Sequence, residues 1–352
     1  MAKAPKKTAA KKAKTTAKKA ASKAVKTTAA ANKAAVKKTA AKKAQTQAKK
    51  AVAKTAAPKK AKQKKSVAKK DKKVTGYGSG GVDVVMSVDQ VAKEAASIAA
   101  NAPTHKELLK LAKNEPLLTI DALRAGYGKM EILHDFTLEV GSGQSLCLIG
   151  PNGAGKSTVL HSIFGFTNIF SGTISIGGKD VTNLTPSQKL AEAGIAYILQ
   201  DKSVFPQMTV EENLLMGGFL KNKPLEAKAA AEMVFDKYSR LAERRDKPAG
   251  VLSGGERRLL EISRALVMNP EVLLVDEPSI GLEPRFIDMV FEILSDLQHK
   301  DGKTIIMVEQ NAKKGLSFAD IGYVLVSGET AIADFGDDLL ENPDVGRLFL
   351  GG

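Results

Sequence analysis

Residues 116–352 predict an α/β fold: a mostly parallel sheet flanked by helices, with an antiparallel β subdomain beside it. Three observations carry this. First, the runs Leu146–Ile149, Ile195–Leu199, Val272–Val275, Thr304–Val308 and Tyr323–Val326 are continuously apolar and alternate with segments of helical pattern. Strands covered on both faces read this way, as they do in parallel sheets. Second, Phe136-Thr137-Leu138-Glu139-Val140 alternates strictly, the mark of a strand with one buried face. Leu118–Leu123 and Thr173–Ile176 are shorter candidates for the same antiparallel unit. Third, a glycine-rich turn follows Leu146–Ile149 directly and leads into a helical pattern.

The residues before this domain differ in kind. The 352-residue chain carries a formal charge of +16, yet residues 1–73 hold 27 lysines and one acid, Asp71, so that stretch alone is +26. Residues 74–352 are therefore about −10. Residues 1–73 contain no Leu, Ile, Phe or Tyr, too little apolar surface to offset chain entropy, and predict a disordered Lys/Ala-rich tail. Its bland reading is a solubilising spacer; its sharper reading is an arm for nucleic acid or anionic lipid, held by counterion release. Residues 74–115 predict a flexible linker: a glycine stretch at Gly76–Gly81, a short helix over Val85–Ala99 and a second over Thr104–Lys113, with Thr104 as cap and Glu107 three residues on. The single cysteine, Cys147, lies within an apolar run and reads as a small core residue; no disulfide can form within the chain. The start leads into no apolar stretch, and no run approaches the ~20 residues that span a bilayer, so a soluble chain is expected, with any membrane role passing through a partner or the tail.

The glycine-rich turn is Gly150-Pro151-Asn152-Gly153-Ala154-Gly155-Lys156-Ser157-Thr158, which fits G-x-x-x-x-G-K-[ST]. Glycines let the backbone curl so that successive N–H groups face phosphate oxygens, and the helix starting at Lys156 adds its positive end. The candidate phosphate-binding residues are Gly150, Asn152, Gly153, Gly155, Lys156, Ser157 and Thr158. Lys156 is placed to reach the β- and γ-phosphates of ATP, and the Ser157 hydroxyl to ligate Mg²⁺. Downstream, the apolar strand Val272–Val275 ends in Asp276 and Glu277. Asp276 is placed to hold the Mg²⁺ directly or through water, and Glu277 to orient and deprotonate an attacking water. Two carboxylates at a strand end are often an ordinary solvated edge; the phosphate loop upstream favours the catalytic reading.

Leu252-Ser253-Gly254-Gly255-Glu256 narrows the class. Ser253 with Glu256 is a capping box, so a helix starts here and is expected to run through Ala265 to about Met268. An exposed helix start with two glycines and a hydroxyl is an anion site. A second anion site in a chain that already has a phosphate loop suggests two chains sharing nucleotide. The motif, 23 residues before Asp276, resembles the signature of ATP-binding-cassette ATPases. The resemblance implies a P-loop NTPase core, a helical signature subdomain, and Ser253 and Gly255 of one protomer contacting the γ-phosphate held by the other, with Gly254 between them. It further implies that Tyr127 stacks on adenine, that Gln200 senses Mg²⁺ and a membrane partner, and that Ser279–Glu283 crosses the dimer interface. Gln310 occupies the place where most of the family has histidine; it can hydrogen-bond a γ-phosphate but carries no proton at neutral pH.

Val308-Glu309-Gln310-Asn311, Ala319-Asp320, Tyr323-Val324-Leu325, the stretch Val204–Leu214 and the Phe349-Leu350-Gly351-Gly352 ending are similar to the ATPases of branched-chain amino acid importers. Gln200 and the residues before it resemble urea-type importers, and Ser253–Ala265 resembles the lipopolysaccharide-export ATPase. The resemblance implies transmembrane permease subunits as partners, a second ATPase subunit (identical or related), a periplasmic solute-binding protein acting indirectly, and a place on the cytoplasmic face of the cell membrane. A nucleic-acid machine is the competing class. Lys156 and Ser253 lie only 97 residues apart, which leaves no room for a long coiled-coil insertion, and there is one cassette where translation-factor relatives carry two.

Overall fold

The structure, a computed structural model, describes residues 103–113, 115–200 and 203–350. The Lys/Ala-rich tail, the Gly76–Gly81 stretch and the helix expected over Val85–Ala99 lie outside the described residues.

The chain runs α1 (His105–Leu111), β1 (Pro116–Tyr127), β2 (Met130–Gly141), β3 (Ser145–Ile149), α2 (Lys156–Phe164), β4 (Asn168–Ile176), β5 (Lys179–Asp180), α3 (Pro186–Ala191) and β6 (Ile195–Ile198). It continues through α4 (Val210–Gly217), α5 (Pro224–Lys237), α6 (Ser239–Ala242), α7 (Gly254–Leu266), β7 (Val272–Asp276), α8 (Pro284–His299), β8 (Thr304–Val308), α9 (Ala312–Phe318), β9 (Ile321–Val326), β10 (Glu329–Phe335), α10 (Gly336–Glu341) and α11 (Pro343–Val345). A six-stranded sheet has the order β10-β9-β3-β8-β7-β6, and a four-stranded sheet the order β2-β1-β4-β5. From β9 to β6 every neighbour is parallel; β10 returns antiparallel to β9. All pairs of the smaller sheet are antiparallel.

Burial explains this division. Every residue of β3, β7 and β8 is buried, so both faces of the central strands are covered. One face packs on α2 and the antiparallel sheet through Leu146, Leu148, Val159, Ile163 and Phe136. The other packs on α7, α8 and α9 through Ile149, Ile262, Val290, Leu294 and Leu316. A third cluster, including Leu214, Val234, Phe235, Leu241 and Leu260, gives the helices between β6 and β7 a core of their own. The helical subdomain is therefore a packed unit and not a loop excursion.

Several sequence-based boundaries shift. The run Ile195–Leu199 leaves the sheet after Ile198, and Leu199 is exposed. The helix expected to reach about Met268 ends at Leu266. The strand read from Tyr323 starts at Ile321, and β10, unnoticed in the sequence, pairs with it from Glu329↔Val326 onward. The Thr104–Lys113 segment is docked on the domain: its Thr104/Glu107 capping box starts α1, and Leu108 and Leu111 enter the core between the sheets. The Gln144 side chain fixes its end, accepting from the Lys113 N–H (2.8 Å) and donating to the Leu111 carbonyl (3.1 Å). Lys113 also pairs with Asp320 at 2.9 Å. Cys147 is fully buried, its thiol pushed up by desolvation, and the backbone of Gly315 comes so near its sulfur that a side chain there would collide. It is a core residue.

One buried charge predicts a pH effect. The Lys189 ammonium in α3 is fully buried and donates to the Ser162 carbonyl (3.2 Å) near the negative end of α2. Burial nevertheless pulls its pKa from 10.5 to about 8. Between those values the unfolded chain keeps a proton that the folded chain has released, so unfolding free energy rises with pH across the window. Lys189→Met is expected to flatten that rise and to be the more stable protein at pH 7, as chemical denaturation of both at two pH values would register.

Candidate active site

The candidate residues gather at the carboxyl ends of β3, β6, β7 and β8, where parallel α/β sheets place their ligand crevice. Strand β3 ends at Ile149 and delivers the loop, in which Gly150, Gly153 and Gly155 have φ of +143°, +85° and +99°. These conformations favour glycine. At Gly150 a Cβ would also lie 2.2 Å from the Leu325 carbonyl oxygen, whereas at Gly153 nothing comes within 4 Å, so the crown of the loop is open. Gly155 caps α2 without a side-chain hydrogen bond, which leaves the first-turn amides of α2 facing the loop. Asn152 lies on the exposed turn, and Thr158 is buried one turn below.

Lys156 is 8% exposed; its Nζ donates to the Gly150 carbonyl at 2.9 Å and the Pro151 carbonyl at 3.0 Å. Burial lowers its pKa, and Glu277 and Asp276 pull it back up. An open ring of backbone donors with a desolvated ammonium beneath fits a polyphosphate.

Strand β7 carries Asp276 and, one residue on, Glu277. The Asp276 carboxylate accepts from the Ser157 hydroxyl (3.2 Å) and from the Tyr197 hydroxyl (2.8 Å). Glu277 has φ +42°, a left-handed conformation that costs roughly 1–2 kcal/mol in a side-chain-bearing residue. Its N–H donates to the Val308 carbonyl at 2.9 Å, which holds the turn. Its carboxyl accepts from the Gln200 amide at 2.6 Å. Burial raises the Glu277 pKa, and the neighbouring charges of Asp276 and Glu309 add to the rise. Ser157 pairs with Asp276, and Gln200 pairs with Glu277 one residue on; their hydroxyl, carboxylate and amide groups offer hard oxygens of the kind that fits Mg²⁺. Gln310 lines a cavity of about 350 Å³ together with Glu277, Ser279, Lys313, Phe349 and Leu350.

Tyr127 ends β1, 44% exposed, and its hydroxyl is hydrogen-bonded to His161 on α2. His161 packs edge-on against both Tyr127 and Tyr197, and burial lowers its pKa. Ser253, Gly254 and Gly255 belong to the helical subdomain, and among the described residues they make no hydrogen bond to the loop. Ser253 accepts from the Glu256 N–H (3.3 Å), and Glu256 accepts from the Ser253 N–H (2.9 Å). Gly255 has a packing role as well: a Cβ there would lie 2.2 Å from the Phe286 ring, while at Gly254 the nearest atom is 3.6 Å away. Gly255→Ala is expected to cost about 1–3 kcal/mol by overpacking, and Gly254→Ala less than ~0.5 kcal/mol, in denaturant melts.

Sequence reasoning missed Tyr197, His161, Glu309 and Arg258. Glu309, 1% exposed, accepts from the backbone N–H of Ser279 and of Asn311, both at 3.0 Å, and so ties the loop after Glu277 to the loop after β8. Arg258 and Glu261 form a buried ion pair on α7. An opposite-charge pair three residues apart among Leu259, Leu260 and Ile262 was the available signal.

This fold and strand-end constellation define a P-loop nucleotide hydrolase. The family model described as ABC transporter matches residues 133–280. The branched-chain amino acid transport ATP-binding protein BraG of Pseudomonas aeruginosa is 42% identical over 236 residues, covering 67% of this chain and 100% of that protein. The lipopolysaccharide export ATP-binding protein LptB of Haemophilus influenzae is 31% identical over 237 residues, covering 67% and 97%. A solved ATP-binding cassette of an ABC transporter superposes with a TM-score of 0.60 at 29% identity, covering 68% of this chain and 100% of that one. The chain belongs to the ABC transporter ATP-binding family: it is an ATP-binding, ATP-hydrolysing subunit of a transporter. Among its described residues no helix is long and apolar enough to cross a membrane.

Proposed function

We propose that this protein is the energy-coupling ATPase of an importer for branched-chain amino acids or related small solutes. The observation that carries the reading is 42% identity to BraG over that protein's whole length, against 31% to LptB. The Glu309-Gln310-Asn311 sequence after β8 supports the same branch. The LptB similarity favours one second reading, export of lipopolysaccharide.

In this reading the loop amides of Gly150–Ser157 and the Lys156 ammonium hold the ATP phosphates, and Tyr127 stacks on the adenine. Ser157, Asp276 and Gln200 would hold Mg²⁺, which when bound would supply positive charge to the triphosphate. Glu277 takes a proton from a water molecule as the water oxygen bonds to the γ-phosphorus and the bond to the β–γ bridging oxygen breaks; ADP and inorganic phosphate leave, and Glu277 gives its proton up to phosphate or solvent. Gln310 hydrogen-bonds the γ-phosphate without a proton shuttle. Ser253, Gly254 and Gly255 cap the γ-phosphate of a second ATPase subunit. Among the described residues the Ser253 side chain bonds to Glu256 and not to the loop of its own chain, which supports that trans arrangement. The two subunits close over bound ATP and open after hydrolysis; permease subunits in the cell membrane receive that motion at its cytoplasmic face, and a periplasmic solute-binding protein delivers the solute to them.

Affinity purification of the tagged protein from its own cells, followed by labelled-leucine uptake in a strain lacking it, tests the proposal. Copurification of a permease and loss of uptake support the importer. Normal uptake with copurifying lipopolysaccharide-export components would turn the assignment to the second reading.

A further inference from the structure

We infer that Arg258 is a positioning residue that holds the Gln200 and Glu277 backbone segments in register with the helix bearing Ser253. Arg258 lies in α7, little more than a turn beyond that cap, and its side chain is 5% exposed. Its Nη1 donates to the Leu199 carbonyl at 2.8 Å and to Glu261 Oε2 at 2.8 Å. Its Nη2 reaches the Asp276 carbonyl at 3.5 Å. These two carbonyls have one thing in common. Leu199 C=O belongs to the peptide bond of Gln200, and Asp276 C=O to the peptide bond of Glu277. The loop closes where the Gln200 amide meets the Glu277 carboxylate at 2.6 Å. One planar guanidinium therefore sets the orientation of both peptides whose side chains meet in the site.

Stability alone does not account for this arrangement. A buried ion pair gives back in desolvation much of what it gains, and apolar side chains of similar volume commonly serve as well. The Arg258 Nε has no hydrogen-bond partner among the described residues, a further cost of burial. What an apolar pair cannot supply is the two carbonyl contacts. They fall where rigidity is most needed: Glu277 sits at φ +42°, anchored on its own N–H by the Val308 carbonyl and on the preceding carbonyl by Arg258. A strained backbone of this kind persists only when its surroundings over-determine it. The two carbonyls are met by two separate guanidinium nitrogens, a spread that lysine, with all its donors on one nitrogen, does not reproduce.

The inference rests on Glu277 acting as the base. Its test compares ATPase kinetics and ATP affinity of Arg258→Lys and of the paired apolar change Arg258→Met with Glu261→Leu. Both are expected to keep ATP affinity and KM within about threefold, while kcat falls roughly tenfold or more in the paired variant and less in Arg258→Lys. Should the paired variant not fold, the kcat of Arg258→Lys decides alone. Wild-type kcat in the folded variants, or a rise in KM with kcat unchanged, would overturn the inference. Glu277→Gln in the same assay separates the two ideas: normal turnover there removes the base itself, whereas an inactive Glu277→Gln beside fully active Arg258 variants removes only the positioning role.

Discussion

Glu277→Gln is expected to bind ATP as tightly as the wild type and to hydrolyse it at least ~10²-fold more slowly. The substitution is isosteric, so it leaves the left-handed turn at φ +42° and the 2.9 Å hydrogen bond to the Val308 carbonyl in place. An amide oxygen can still accept from Gln200. What disappears is the capacity to take a proton from water. In the wild type that capacity is enhanced, because burial and the charges of Asp276 and Glu309 raise the carboxyl pKa and make the group a stronger base. Phosphate release under saturating ATP measures the loss, and normal release would assign the base elsewhere.

Lys156→Ala is expected to weaken ATP binding by roughly 10²-fold, about 3 kcal/mol, the cost of stripping one partner from a desolvated charge pair. The ammonium is 8% exposed and held by the Gly150 and Pro151 carbonyls, so its position is set before any phosphate arrives. It is also the positive charge that offsets Asp276 and Glu277. Without it, incoming phosphate oxygens meet two carboxylates and two carbonyl dipoles with only backbone N–H groups in compensation. Circular dichroism of the variant is expected to match the wild type, since Lys156 is the first residue of α2 and alanine at that position keeps the helix.

The central fold could be read from the chain because parallel strands have no polar face. Val272–Val275 and Thr304–Val308 announce themselves as uninterrupted apolar runs, and both are strands in the structure. The loop and the acids at the end of β7 were equally legible, since glycine, lysine and carboxylate have few reasons to occur together in that order. Strand β10 was not. Its short run Ala331, Ile332 and Ala333 is bounded by Thr330 and Asp334, and it sits at a sheet edge where half-burial weakens the pattern. The docking of Thr104–Lys113 was hidden for a related reason. Two buried leucines out of three on a seven-residue helix make a faint stripe, and the partner that gives it meaning, Gln144, lies 31 residues away from Lys113. Arg258 was passed over because charges in a helix are usually solvated. Only the fold shows that Leu199 and Asp276, 77 residues apart, bring their carbonyls to one guanidinium.

The most direct test of the central claim is an equilibrium titration of the full-length protein with ATP and Mg²⁺, run in parallel on the wild type, Glu277→Gln and Lys156→Ala. The proposed site predicts superimposable curves for the first two and a curve displaced by about two orders of magnitude for the third. Identical curves for Lys156→Ala and the wild type would contradict it, because the triphosphate would then be held somewhere other than the loop between β3 and α2.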